Sequence, residues 1–98
     1  GVHSLNFIKN INIDIAFMAT SGFSLKGGFT CGDFNECELK KAVIKKAGKI
    51  ILLMDSTKAD KNMPYTFASL KDIDILICDQ KLPEPILKAA EKNGVLVL

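Results

Sequence analysis

Asp55, Ser56, Thr57 and Lys58 place a carboxylate, two hydroxyls and an ammonium in four consecutive residues. A set of that kind can hold a small ligand carrying both an anionic group and hydroxyls: the ammonium pairs with the anion, and the carboxylate accepts from the hydroxyls. Two further groups could join it. Ser21-Gly22 offers a hydroxyl beside a flexible backbone, and Lys26-Gly27-Gly28 offers N–H groups that can approach an anion beside a lysine. The glycine spacing matches neither GxGxxG nor GxxxxGK followed by Ser or Thr. The same glycines also suit turns that need a positive φ, and Asp55 with Lys58 also suits a salt-bridged local turn. Nucleophilic and metal chemistry have little to work with. Cys31, Cys37 and Cys78 form neither a CxxC pair nor an even disulfide framework, and the single histidine, His3, lies far from them in sequence. Cys31 and Cys78 read as small hydrophobes, so no catalytic residue, metal or cofactor is expected.

The elements that must position these groups follow from periodicity. Ile50 to Met54 is an unbroken apolar run ending at Asp55, the pattern of a strand buried on both faces in a parallel sheet. Asn12 to Met18 predicts a strand, with Ile13, Ile15 and Phe17 on one face and Asp14, Ala16 and Met18 on the other. Apolar residues at 5, 7, 8 and 11 before it suit a short amphipathic helix over Leu5 to Ile11. Ala19 to Phe34, with Gly at 22, 27, 28 and 32, predicts a long loop. Asn35 and Glu38 have capping-box spacing, and Gly48 is a natural stop, which bounds a helix whose buried stripe is Leu39, Ala42, Val43 and Ala47. Lys40, Lys41, Lys45 and Lys46 lie largely on its other side, the ordinary place for solvated charge. The strand Lys49 to Met54 follows that helix through a parallel crossover.

Asp60 to Met63 predicts a turn, Pro64 to Leu70 a short extended edge segment, and Ile73 to Cys78 another buried strand ending at Asp79. Pro83-Glu84-Pro85 opens a helix through Asn93, closed by Gly94, and Val95 to Leu98 forms the last strand. The class is therefore α/β with a mostly parallel sheet and flanking helices. Ligands in such sheets bind outside the carboxyl ends of the strands, where Ser21-Gly22, Asp55 to Lys58 and Asp79 would all emerge. A phospho-acceptor receiver domain would need an acidic pair after its first strand, and Ala19, Thr20, Ser21 and Gly22 stand there instead.

Ninety-eight residues make one modest domain, a chain of that size burying roughly 60 to 65% of its unfolded surface. At 48% hydrophobic and 24% charged, the composition excludes disorder and low complexity. A net charge of +2 spread over scattered lysines is too small for this stretch alone to neutralise a nucleic-acid backbone. The longest apolar run is far short of the ~20 residues of a membrane span, and the start of the chain has no basic-then-apolar signal pattern. A cytoplasmic protein without membrane contact is expected. Because the chain opens Gly1-Val2 with no Met, it is also expected to be a piece of something longer.

Taken in order, DIAFMATSGFSLKGGFT, the helix ECELKKAVIKKA, IILLMDSTK, LKDIDILICD and NGVLVL resemble the C-terminal sensor domain of DeoR-type sugar-responsive transcriptional regulators. The resemblance runs from about Asn12 to the end. It implies a partial fold similar to ribose-5-phosphate isomerase and the CoA-transferase superfamily, with the family's N-terminal helix-turn-helix and the early half of its sensor lying outside this stretch. The implied function is that of an effector-binding domain for a phosphorylated sugar in a repressor of sugar metabolism genes. Its assembly would be a homo-oligomer that meets DNA only through the missing helix-turn-helix.

The family's Gly-Ala-x-Gly loop falls on Ala19, Thr20, Ser21 and Gly22, with Ala19 and Thr20 departing from it. Its Gly-x-Thr falls on Gly28 and Thr30, its Glu-x-x-x-Lys on Glu38 and Lys40-Lys41, and its Asp-Ser-Ser-Lys on Asp55, Ser56, Thr57 and Lys58. The implied effector set is Ser21, Gly22, Lys26, Gly27, Gly28, Thr30, Lys40, Asp55, Ser56 and Lys58. An isomerase-like enzyme is the alternative. Counted back from Asp55 and Lys58, the isomerase's general-base Glu falls on Lys40, and its Asp-Glu falls on Ser21 and Gly22. An ammonium cannot readily replace a carboxylate base, which favours a sensor, although a shift of two residues would bring Glu38 there.

Overall fold

Parallel strands dominate the computed structural model, which describes residues 2–98. The chain runs α1 (Val2–Lys9), β1 (Ile13–Ala19), β2 (Gly22–Ser24), β3 (Gly28–Cys31), α2 (Phe34–Lys46) and β4 (Ala47–Met54). It continues through a 3-10 turn (Ser56–Lys58), β5 (Tyr65–Ala68), a second 3-10 turn (Leu70–Asp72), β6 (Ile75–Cys78), α3 (Glu84–Lys92) and β7 (Leu96–Val97). Four strands form one sheet in the order β1-β4-β6-β7, every pair parallel. The expected α/β class with a mostly parallel sheet flanked by helices is the one observed.

The stretch expected to be a long loop, Ala19 to Phe34, instead carries β2 and β3. Joined by β5, they make a second, antiparallel sheet in the order β2-β3-β5. Gly28 serves the turn between them. Its φ is +75° and a Cβ there would meet the Ala68 carbonyl oxygen at 2.5 Å, so a side chain is excluded by both backbone and neighbour. Phe23, Phe29 and Phe67, one from each strand, stack in sequence with ring centroids 4.4 and 6.4 Å apart and join the main core.

α2 begins one residue before the position expected. Asp33, not Asn35, is its cap, accepting from the Asn35 N–H at 3.4 Å. The helix passes directly into β4 through Ala47, so Gly48 lies within the strand, where a Cβ would sit 3.1 Å from the Asp14 carbonyl oxygen of β1. Leu39, Ala42, Val43 and Ala47 are only half-buried, and Cys37 is the fully buried residue of the helix. α1 likewise starts earlier than Leu5, at Val2, and has no fully buried residue.

The core lies on one side of the parallel sheet. Ala16, Met18, Ile50, Leu52, Met54 and Leu76 point into it, met by Cys37 of α2 and by Ile86 and Ala90 of α3. Strand β1 divides as its alternation predicts, but Ile15 and Phe17 are the exposed face. The expected burial of β4 on both sides is met on one side only, with Leu53 exposed. Gly94, at φ +73°, ends α3 in the left-handed conformation that a helix C-terminus favours. Leu76 has no exposed surface, so Leu76→Ala should cost about 2–5 kcal/mol of stability. Urea unfolding would read this as a lower midpoint with an unchanged slope.

Candidate functional site

The carboxyl ends of β1, β4 and β6 enclose a shallow cavity of about 530 Å³ lined by Ala19, Thr20, Asp55, Lys58, Cys78 and Asp79 over a floor of Leu53, Met54 and Ile77. Asp55 leaves β4 and caps the following 3-10 turn, its Oδ1 accepting from the Thr57 N–H at 2.9 Å. The Ser56 N–H donates to Asp79 Oδ1 at 2.7 Å and the Ser56 hydroxyl to Oδ2 at 3.4 Å. Asp79 thereby ties the end of β6 to the turn after β4. The backbone N–H of Ser56 holds its carboxyl below the usual carboxylate range, aided by the Ser56 hydroxyl. The Asp55–Lys58 ion pair of a salt-bridged turn does not form: among the described residues Lys58 has no carboxylate within 4.0 Å, and its ammonium stands beside the cavity uncompensated.

Lys40 comes to the rim from α2. Its Nζ donates to the Ala19 carbonyl oxygen at 2.6 Å, lies 3.3 Å from Glu36 Oε1 and sits 4.6 Å above the centre of the Phe67 ring. Those contacts fasten α2 to the end of β1. Glu38 is paired elsewhere, with Lys41 at 3.6 Å.

The remaining expected residues have other positions. Thr30 is 1% exposed and its hydroxyl accepts the Met63 N–H at 2.9 Å, while its carbonyl oxygen receives the Ser21 N–H at 3.0 Å. Gly22 is buried where a Cβ would meet the Lys61 carbonyl oxygen at 2.5 Å. Lys26, Gly27 and Gly28 face a separate cavity of about 520 Å³, together with Ser69, Lys71 and Asn93 beside α3. The Gly27 N–H is already taken by the Ser24 hydroxyl at 2.8 Å, and its carbonyl oxygen accepts from Thr66 Oγ1 at 2.7 Å. The structure thus brings Asp55 and Lys58 to one cavity at the strand edge, with Ser56 in the turn between them and Lys40 bonded to the Ala19 carbonyl of its wall, while Ser21 is not among the residues that line it. The Lys26-Gly27-Gly28 turn stands apart from them. Thr20 and Cys78 line the cavity without having been in the expected set. Their place two residues past the end of one predicted strand, for Thr20, and at the end of another, for Cys78, was the available signal.

Burial raises the thiols of Cys31 and Cys78 above their ordinary range, so neither is activated as a thiolate. Among the described residues no group of three or more His, Cys, Asp or Glu side chains could hold a metal ion, and no helix is long and apolar enough to cross a membrane.

A parallel sheet whose carboxyl edge presents an unpaired lysine, a capping aspartate and a serine defines an α/β ligand-binding unit. Comparison with known proteins makes the class specific. Residues 1–80 match the family described as the DeoR C terminal sensor domain, and the chain belongs to that family. Relatives include the HTH-type transcriptional regulator GolR of Listeria innocua, 32% identical over 97 residues, which span 99% of this chain and 38% of GolR. An uncharacterised HTH-type transcriptional regulator of Haemophilus influenzae is 38% identical over 99 residues, covering 100% of this chain and 38% of its own length. The glycerol-3-phosphate regulon repressor of Escherichia coli is 24% identical over 95 residues, 97% of this chain and 38% of the repressor. The chain therefore spans about two fifths of the length of these curated relatives.

The depressed carboxyl of Asp79 sets a pH signature. Its contribution to stability is complete above the unfolded-state value, about 3.9, and is lost as pH falls through the lower folded value. Asp79→Asn should therefore lower the urea midpoint at neutral pH, and the gap to wild type should close as pH drops below about 4. A gap that stays constant from neutral to acid pH would contradict this role.

Proposed function

We propose that this chain is the effector-sensing part of a DeoR-type transcriptional regulator, a repressor of sugar metabolism genes, and that it binds a phosphorylated sugar at the carboxyl edge of the parallel sheet. The observation that carries this reading is Lys58: a lysine without a carboxylate partner beside a cavity walled by Asp55, Thr20 and Asp79. Lys58 pairs with the phosphate, and Asp55 and the Ser21 hydroxyl take the sugar hydroxyls. A relative named for a glycerol-3-phosphate regulon supports a phosphorylated effector of this size. The effector acts by binding one arrangement of the homo-oligomer more tightly than another, which biases DNA binding by a helix-turn-helix outside these residues.

Turnover of a sugar phosphate by an isomerase-like route is the less favoured reading. By the count back from Asp55 and Lys58, the position of the isomerase's carboxylate base falls on Lys40, whose ammonium is held by Glu36 and the Ala19 carbonyl. The relatives are named as regulators. A coupled assay with pentose and hexose phosphates should show no turnover above background.

Isothermal titration of the full regulator against a panel of phosphorylated sugars tests the binding proposal. One sugar phosphate should bind, and Lys58→Ala should weaken it by about 10- to 100-fold, the worth of one charge-assisted contact, with thermal stability unchanged. Lys26→Ala should leave the affinity within about twofold, as a surface charge distant from the ligand does. The opposite ranking would move the site to the Gly27-Gly28 turn, and no binding to any sugar phosphate would overturn the proposal.

A further inference from the structure

Lysines far apart in sequence meet where α1 packs on α2. Each of these helices leads into a strand, β1 or β4, and those strands pair in parallel with Ile13 beside Ala47. The two helices therefore finish at the same end of the sheet. Between them lies a cavity of about 310 Å³, more enclosed than the one beside Lys58, with Leu5 and Ala42 as its apolar lining. Lys9 of α1 and Lys41, Lys45 and Lys46 of α2 stand around it, with Glu38.

Charge is unbalanced there. Of the chain's 13 basic and 11 acidic residues, four and one line this groove, so it carries +3 while the rest of the chain carries −1. Glu38 pairs with Lys41 at 3.6 Å. Among the described residues Lys9, Lys45 and Lys46 have no carboxylate within 4.0 Å. Lys41 and Lys45 also stand one turn apart on α2, a spacing at which like charges repel. The helix ends supply part of the balance, since Lys9 lies in the last turn of α1 and Lys45 and Lys46 in the last turn of α2. Each C-terminus is equivalent to about half a negative charge, which leaves about two positive charges uncompensated. That excess is divided between the two helices and opposes their packing, and α1 has no fully buried residue to offset it.

We propose that this groove is a second anion site, one for a divalent oxyanion of the phosphate or phosphate-monoester class, and that the bound anion holds α1 on α2. Two negative charges match the excess, and lysine ammoniums serve phosphate as point charges with rotatable donors. A nucleic-acid backbone is the poorer occupant: it carries its phosphates along a convex edge, and these lysines surround a concavity. The site is separate from the strand-edge cavity, because Lys45 and Lys46 precede β4 and Lys58 follows it. An eight-residue strand, the length of β4, spans about 25 Å. The lysine face of α2, in sequence an ordinary solvated face, thus becomes one wall of a binding groove once α1 is laid against it.

Hydrogen exchange in the full regulator, read by mass spectrometry on peptides covering Asn6 to Ile11, tests the proposal. The probes are inorganic phosphate and methyl phosphate, each compared with sodium chloride at equal ionic strength. The Asn10 and Ile11 N–H groups close the end of α1 on the Phe7 and Ile8 carbonyls, so these amides report whether α1 is docked. At ten times its half-effect concentration, at least one probe should slow their exchange about 10-fold, the shift in an opening equilibrium that a ligand at that ratio produces. The probe that acts at the lower concentration identifies the source as free phosphate or an ester. Lys9→Gln and Lys45→Gln, both at exposed positions, should each remove most of the slowing, and Lys58→Ala should keep it. No slowing by either probe beyond that in chloride would overturn the proposal. Slowing that survives Lys9→Gln and Lys45→Gln would overturn it too, as would slowing lost in Lys58→Ala, which would assign the effect to the strand edge. The outcome does not depend on whether a sugar phosphate binds beside Lys58.

Discussion

When the chain leaves the end of β4, the backbone amides from Ser56 to Met63 need partners, and the rest of the structure depends on where they find them. Asp79 takes the Ser56 N–H, Asp55 takes that of Thr57, the Phe23 carbonyl takes that of Asp60, and the Thr30 hydroxyl takes that of Met63. The Asp55 bond closes the turn on itself, and the other three join the segment to the end of β6, to β2 and to β3. Together they pin it between β6 on one side and the hairpin of β2 and β3 on the other. The second sheet is held over the first by these bonds and by its three stacked phenylalanines.

The same bonds decide which polar groups are left for a ligand. Thr30, Gly22 and Gly28 are consumed by the fold: a buried hydroxyl with an amide on it and two glycines against carbonyl oxygens cannot also receive an effector. Asp55 spends one carboxylate oxygen on the turn and keeps the other at the cavity, whereas Ser56 gives both its N–H and its hydroxyl to Asp79. Lys58, held in place by a 3-10 turn and paired with no carboxylate, spends nothing. A rigid backbone presenting one free charge is how a small α/β unit can be preorganised for an anion.

Much of this was legible in the chain. The apolar run Ile50 to Met54 identified a central parallel strand, and the polar cluster after it marked the strand edge, because burial and periodicity are local signals. The hairpin of β2 and β3 was hidden. Its strands are three and four residues long, and β3 is held by pairing with β5, some 35 residues away, and not by a pattern of its own. The split of the glycine-rich stretch from the Asp55 cluster was hidden for the same reason. Two segments can both point toward one sheet edge in sequence and still face different cavities once a second sheet stands between them.

Residue order alone determined the α/β class, the place of Asp55 to Lys58 at a strand end and the family resemblance. Each depends on which side chains stand next to which along the backbone. Only the tertiary structure decided that Lys58 is unpaired, that Lys40 is a strut between α2 and β1, and that Thr30 belongs to the core. It alone also decided that one face of β4 is covered and the other is open. Those outcomes turn on partners far away in the chain. The direction in which crossovers wrap a sheet sets which face receives them, and no local pattern of apolar residues encodes it.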